Sequence, residues 1–411
     1  MISAARRAEA CRDIDLLGEI LSPVLPDVES DPVVPDVGAA QRGEILRLCG
    51  FFLGYYGNAA SKANYQERGK DLLSRAIDLF ESEGLEEEAG EARLNLAWRY
   101  LQQGAHAEAA AIVEYTKERF GKRRSSPIFL RLKLFESVAA SAAGEFDRAA
   151  KIISALAPAI DKCDDSGICG QYHIEAGYVN TELGNYPAAL EHYNHAETYA
   201  RLLENERFLA IILGNIAFVL LKQRHYGRSL KRIEAAIELN RKNGRKGFLA
   251  HNFDTKAQIL LAEGEAGRAL LAIDQSLELF RTGEDTAGLC EAQFNKIRIL
   301  LKLQEIEEAL MLFAELVQTA RTNITETSAR KFADRFSDLV FYPESRGYKE
   351  EVSEFKKYLL KESLTSSGNV MKDAAESLDI SQAMLSDILR RQFPEIFDEL
   401  NIKKRKSRKK G

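Results

Sequence analysis

The sequence predicts an all-α chain: a tandem of stacked helix pairs, an α-solenoid, followed by a small helix–turn–helix domain. Three observations predict it. Six short phrases recur 40 residues apart. Ala, Leu, Glu, Lys and Arg dominate, while the 411 residues hold nine prolines and one tryptophan, a composition that favours helix. Residues 364–402 carry the small-residue and cap pattern of two short helices joined by a tight turn.

The same composition excludes several classes. A hydrophobic fraction of 45% and a net charge of −5 rule out collagen-like, mucin-like and disordered chains, and a uniformly basic nucleic-acid coat. The five cysteines (Cys11, Cys49, Cys163, Cys169 and Cys290) are odd in number, irregularly spaced and form no CxxC, so free thiols in a reducing compartment are expected. No long apolar run follows the first arginines, so no signal peptide is expected. The most apolar stretch, 208–221, includes Asn215 and is too short to span a bilayer. The expectation is a cytoplasmic protein without a membrane partner.

Residues 1–40 read as one helix over 3–21 and then an extended linker, because Pro23, Pro26, Pro32 and Pro35 fall close together. Residues 41–325 carry the repeat. GAHAEA starts at Gly104, GEFDRA at Gly144, GNYPAA at Gly184, RHYGRS at Arg224, GEAGRA at Gly264 and QEIEEA at Gln304. Each phrase sits between two apolar, helix-compatible runs, so the unit is helix, tight turn, helix. Gly suits the left-handed residue that ends a helix. The Ala five residues later lets two helices approach closely. A pair cannot bury its apolar face alone, and stacked pairs bury a continuous core.

The unit ARLNLAWRYLQQGAHAEA, with Ala97, Tyr100, Gly104 and Ala109, resembles the tetratricopeptide repeat, as does the unit with Gly177, Gly184, Tyr186, Ala189, Tyr193 and Ala196. The period of 40 exceeds the family's usual 34 and is similar to its long-helix variants. Arg224 and Gln304 replace the turn Gly, and Ser229 replaces the Ala. A degenerate unit, 43–57 and 63–83, precedes the others and makes about seven pairs. The resemblance implies a superhelix with a concave groove.

Nine residues before each turn phrase stand Asn95, Phe135, Glu175, Asn215, Thr255 and Asn295; three further on stand Trp98, Val138, Tyr178, Phe218, Gln258 and Arg298. A side-chain amide offers both a donor and an acceptor, which suits an extended peptide backbone of any sequence. The tetratricopeptide resemblance implies that Asn here lines the groove. Asn95, Trp98, Tyr178, Asn215, Phe218, Asn295 and Arg298 are therefore the candidate peptide-groove residues; the alternative is that they pack between helices. Phosphate-loop, dinucleotide, zinc-protease and serine-hydrolase motifs are absent from the sequence, so no enzyme activity, cofactor or metal is expected. Cys169, His173, His192 and His195 have zinc-like spacing on paired helices, but ordinary repeat packing is the preferred reading.

Residues 326–363 read as connecting helices, 326–341 and 348–360. Beyond them, Asn369 reads as an N-cap, Ala374 and Ala375 as close-contact residues, Asp379 as the turn, Ile380 as a plug and Ser381 as the N-cap of a second helix carrying Leu385, Ile388 and Leu389. This resembles the Fis-type DNA-binding domain of bacterial enhancer-binding regulators, with Leu359, Leu360 and Leu364 matching its preceding helix. The resemblance implies double-stranded DNA as partner, a homodimer on two half-sites, and association with the nucleoid. Ser381, Gln382, Ser386 and Arg390 lie along the second helix as candidates for DNA contact, with Arg391 and tail residues Lys403, Lys404, Arg405 and Lys406 for phosphates. Residues 364–402 hold three cations and seven acids, whereas 403–411 hold seven cations and no acid. The expected function is a bacterial transcriptional regulator with a peptide- or protein-binding solenoid. The alternative is a non-catalytic scaffold whose basic tail holds an anionic partner without reading sequence.

Overall fold

Helix starts every twenty residues set the architecture of the computed structural model. It describes residues 1–10, 14–27, 29–59, 63–121, 126–283, 285–324, 330–336, 357, 360–378 and 380–400. After α1 (Ile2–Ala10), α2 (Ile14–Leu21), α3 (Ala39–Ala59) and α4 (Ala63–Ser82) come twelve helices on this clock. They are α5 (Glu86–Gln102), α6 (His106–Arg119), α7 (Pro127–Ala142), α8 (Phe146–Ile160), α9 (Ser166–Glu182), α10 (Tyr186–Leu202), α11 (Glu206–Lys222), α12 (Tyr226–Lys242), α13 (Lys246–Ala262), α14 (Ala266–Arg281), α15 (Thr286–Lys302) and α16 (Ile306–Asn323). The described residues contain no strand.

The turns explain the clock. Gly104, Gly144, Gly184, Arg224, Gly264 and Gln304 all have φ between 62° and 87°. In each turn the next amide donates to the carbonyl five residues back, as Asn185 does to Asn180 at 2.8 Å and His225 to Leu220 at 2.8 Å. That bond satisfies a helix-end carbonyl and reverses the chain. Arg224 and Gln304 adopt the conformation despite lacking glycine's freedom. Gly84, Glu204 and Gly244 repeat the device between pairs. The sequence period of 40 is thus two structural steps of twenty.

Packing fixes the small residues. Ala109, Ala149, Ala189, Ser229, Ala269 and Ala309 are all fully buried. Ser229 fits because its hydroxyl donates to the facing Ala217 carbonyl at 2.6 Å. Gly177 is required where Tyr193 tucks against α9, since a Cβ there would lie 2.5 Å from the ring.

The chain forms two units, 1–295 and 296–411, divided inside α15. In the first, each helix packs on its predecessor, and α3, α5, α7, α9, α11 and α13 also touch successively. These odd helices form the inner layer and the even helices the outer one.

Two N-terminal expectations are corrected. The expected single helix over 3–21 is two helices, α1 and α2, which pack on each other and on α3. Leu17 and Leu21 are fully buried there, worth about 1.5–3 kcal/mol each. The Pro-rich segment is not a free linker. Val24 and Leu25 are buried, the Val33 amide donates to the Val24 carbonyl at 2.7 Å, and Arg75 of α4 pairs with Asp31 at 3.2 Å.

In the second unit, residues 330–336 and 360–366 are helical, and α17 (Met371–Ser377), α18 (Gln382–Gln392) and α19 (Pro394–Glu399) follow. Leu360, Leu364, Ala374, Ala375, Leu385, Leu389, Phe393 and Ile396 make one core, with Ile380 packed against it. Ser381 caps α18, accepting from the Met384 amide at 3.1 Å. Asn369 is not the expected N-cap. It is left-handed (φ 64°), its amide closes on the Leu364 carbonyl at 2.7 Å, and Val370 precedes α17. Most of the two expected connecting helices, together with Leu359, Asp379 and the tail, lies outside the described residues.

If left-handed closure sets stability, Glu204→Gly should stabilise by about 0.5–1 kcal/mol and Gly184→Ala should destabilise by about 1 kcal/mol. Urea unfolding followed by helical circular dichroism measures both; the opposite order would contradict the role given to the turns.

Candidate functional site

Within the first unit, α1 and the inner-layer helices line an open cavity of about 970 Å³. Its wall takes about three turns from each of α3, α5 and α7 and shorter stretches of α9 and α11, so the helix lattice itself builds it. The apolar part includes Phe51, Leu94, Trp98, Phe135, Val138 and Ile211. Trp98 and Phe135 meet edge to face, with ring centres 4.8 Å apart.

Ionic groups close one end. Arg47, buried on α3, donates to both carboxylate oxygens of Glu9 on α1, at 2.6 and 2.7 Å. It also donates to Glu44 at 2.8 and 2.9 Å, and Arg6 reaches Glu44 at 2.7 Å. Burial opposes the charge on Arg47, yet Glu9 and Glu44 overcome it and hold the guanidinium above its ordinary value. Beside this network the Arg99 guanidinium lies over the Tyr55 ring at 4.3 Å. Deeper in, Glu175 is buried and its Oε1 accepts from Ser137 at 2.9 Å and Ser141 at 2.7 Å. Burial pushes the Glu175 carboxyl up against the pull of those hydroxyls.

The sequence-derived groove residues divide. Asn95 and Trp98 line the cavity, as do Phe135, Val138 and Glu175 of the same register positions. Asn95 Nδ2 lies 3.5 Å from Glu9 Oε1, so α1 already approaches it. Asn215 and Asn295 lie off the cavity wall. Asn215 is half-buried, and Asn295 donates to Asp254 at 2.8 Å. Tyr178 is off the wall too, exposed beside Phe146, and Lys222 covers the Phe218 ring at 4.7 Å. Arg298 belongs to the second unit. Of the three asparagines in the expected row, Asn95 alone lines the cavity, which also takes Asn205 from outside that row. What the sequence reading missed is the set Arg6, Glu9, Glu44, Arg47 and Arg99. Pairs 38 residues apart leave no periodic signal.

The Cys/His cluster is an aromatic stack. His173 Nδ1 and His192 Nδ1 are 3.0 Å apart in a hydrogen bond, and His195 stacks on His173 at 4.8 Å. No set of three metal-ligating side chains is assembled among the described residues. Burial, with His192 and His195 adding, pushes His173 down to about 4. Burial raises the Cys49 thiol to about 12 and those of Cys169 and Cys290 to about 11, so these thiols stay protonated near neutrality.

On α18, Gln382, Arg390 and Arg391 are exposed and Ser386 is half-buried. Ser381 is exposed but spends its hydroxyl on the helix cap. Arg391 pairs with Asp387 at 2.7 Å. Lys403, Lys404, Arg405 and Lys406 lie outside the described residues.

No family model matches the chain, and no curated protein matches it. Solved structures do. The apo form of RapI is 15% identical over 87% of this chain and 98% of that one, with a TM-score of 0.51. A Rap protein complexed with Competence and Sporulation Factor is 12% identical over 88% of this chain and 99% of that one, with a TM-score of 0.58. A signal transduction ATPase with numerous domains and a tetratricopeptide repeat sensor, from Pyrococcus horikoshii, is 11% identical over 95% of this chain and 54% of that one, with a TM-score of 0.54. At such identities the likeness is one of fold: a tetratricopeptide-like α-solenoid. No helix among the described residues is long and apolar enough to cross a membrane.

Two outcomes follow from the site. Glu9→Ala leaves Arg47 short of a partner and should cost about 2–4 kcal/mol, with faster amide exchange in α1 than in α9 or α11; uniform exchange would mean that α1 is not held by this pair. The lowered His173 value means that protons bind the unfolded chain first. Its contribution is complete above the ordinary value of 6.5 and is lost as pH falls from there toward about 4. The wild type should therefore lose more melting temperature on acidification than His173→Gln; equal losses would rule this out.

Proposed function

We propose that the chain is a DNA-binding transcriptional regulator whose solenoid groove takes a peptide or an extended protein segment. One observation carries the ligand half. A cavity of about 970 Å³ lies along the inner layer, apolar on its floor and supplied with Asn95, Gln171 and Glu175 as polar contacts. Five helices spaced about 8–10 Å apart give a track of roughly 35 Å, the length of about ten extended residues. Apolar pockets with a few placed polar groups are what a peptide main chain and its alternating side chains need. The Rap protein of similar fold is complexed with Competence and Sporulation Factor, which supports a ligand-binding role for a solenoid of this fold.

For the DNA half, α18 is capped at Ser381 and stands one short connection after α17. Gln382, Ser386 and Arg390 recur four residues apart along one side, where a helix laid in the major groove would reach base edges. Two copies would read two half-sites, in the cytoplasm and on the nucleoid. The protein acts by binding, without catalysis, cofactor or metal. The four-unit negative balance of residues 364–402 favours the alternative, a scaffold that holds its anionic partner without reading sequence.

Selection of bound duplexes from random DNA near physiological salt decides between them. The intact protein should enrich a defined sequence, and Gln382→Ala should relax one position by about 1–3 kcal/mol. Enrichment of nothing overturns the regulator. For the groove, the Asn95→Ala, Trp98→Ala pair should lose about tenfold or more in capture of displayed random peptides while keeping its melting temperature; unchanged capture would move the ligand elsewhere.

A further inference from the structure

Residues 222–246, which span α12 and the turns on either side, hold nine Lys and Arg and two Glu. The windows one period away differ in sign: 182–206 holds one cation and five acids, and 262–286 two cations and six acids. All three windows occupy the same structural positions, an outer helix with its two turns, so the lattice does not demand cations there.

The pairing leaves much of this charge available. Arg232 reaches Glu197 of α10 at 3.2 Å, Lys242 reaches Glu206 of α11 at 2.7 Å, and Arg241 lies 3.6 Å from Glu238. Glu234 pairs with Lys256 of α13. Arg224, Arg228, Lys231 and Lys246 are exposed and have no ion pair among the described residues. Folding alone disfavours two of them. Arg228 sits in the first turn of α12, against the helix dipole, and Arg224 holds φ 62° where four of its five register partners are glycine. Gln304 takes that conformation uncharged, so the contrast in charge, rather than strain, is what selects a partner.

We propose that this outer face of the α11–α12 pair is a docking surface for the phosphate backbone of duplex nucleic acid. The unpaired cations begin before the first turn of α12 and resume past its end, so they span at least the helix's own length of about 25 Å. A duplex presents a phosphate about every 1.7 Å of its axis, so such a row meets several phosphates without reading a base. At the far end Arg245 lies 3.9 Å over the exposed Phe248 ring, a basic–aromatic pair suited to sugar and backbone. The choice of a nucleic acid over an acidic protein rests on the DNA-binding reading: residues 364–402 are net acidic, so phosphate contacts come from cations outside them, and this face adds its own to those of the 403–411 tail.

The test uses the full chain and its Arg224→Gln, Arg228→Gln, Lys231→Gln, Lys246→Gln variant, with unchanged circular dichroism as the fold control. Binding is measured by anisotropy across a salt series, on an arbitrary-sequence duplex and on poly-glutamate. The variant should lose about tenfold or more in duplex affinity, and its log–log salt slope should shrink by about 3–4. Three outcomes overturn the proposal: no duplex binding by the wild type even at low salt, unchanged affinity and slope in the variant, or a patch-dependent preference for poly-glutamate. Gln382→Ala separates this surface from the reading beneath it. If only that change alters sequence preference and the patch variant is inert, the patch fails and the reading stands. If the patch governs the slope and Gln382→Ala does nothing, the surface stands and the sequence-reading helix fails.

Discussion

An antiparallel helix pair needs the chain to reverse within about three residues while satisfying the carbonyls that the first helix leaves open. This chain solves both with one device. A left-handed residue follows each of these helices, and the next amide bonds back five residues, as at Asn185 and His225. The reversal then has a fixed length, so helix starts stay on a twenty-residue clock from Glu86 onward. Register follows from the clock. Ala109, Ala149, Ala189, Ala269 and Ala309 arrive at the same close contact, and the inner and outer layers acquire separate, predictable residues. The cavity wall is a consequence, because only odd helices supply its turns.

The sequence made that clock legible in part. The period of 40 stood out because the within-pair phrases end in a small residue, Ala five times and Ser once, and four of the six begin with Gly. The half-step was hidden, because the between-pair turns use Gly84, Glu204 and Gly244, and α9 begins instead on Asp165, whose carboxylate caps the Gly167 and Ile168 amides. Asn369 was misread for a related reason. Asn serves both as an N-cap and in the left-handed conformation, and Gly368 beside it, at φ 60°, belongs to the end of the preceding helix. The register arithmetic gives Asn95, Phe135 and Glu175 one position, and all three line the cavity. Asn215 and Asn295 share that position but lie off its wall, and the contacts that join α1 to α3 are paired across 38 residues, which no period reveals.

That attachment is ionic and buried, which gives it a particular energetic character. Desolvating Arg47 is unfavourable by itself, and the two carboxylates offset the cost only while both stay in place. Such a contact is directional: it holds α1 in one orientation over the groove more than it adds stability. The segment that follows reinforces the placement, since Val24 and Leu25 are buried and Asp31 pairs with α4. Proline content alone pointed to a spacer, yet fixed φ values also suit a strap laid along a helix, and composition does not distinguish the two.

A stacked-pair lattice also separates its two faces. Each pair contacts mainly its neighbours, so the charge on one outer helix changes without disturbing the inner wall. The windows around α10, α12 and α14 carry one, nine and two cations within a single packing scheme. Their core positions nonetheless stay small or apolar: Ala189, Tyr193 and Ala196 in α10, Ser229, Ile233 and Ala236 in α12, and Ala269, Ile273 and Ser276 in α14 are all buried. Ser229 and Ser276 pass as apolar only because each donates to a carbonyl of a neighbouring helix, Ala217 and Ala250. Stability is thus nearly indifferent to the outer charge, whereas an approaching polyanion is not. A nine-to-two excess of cations between two acidic neighbours therefore points to a contact outside the fold.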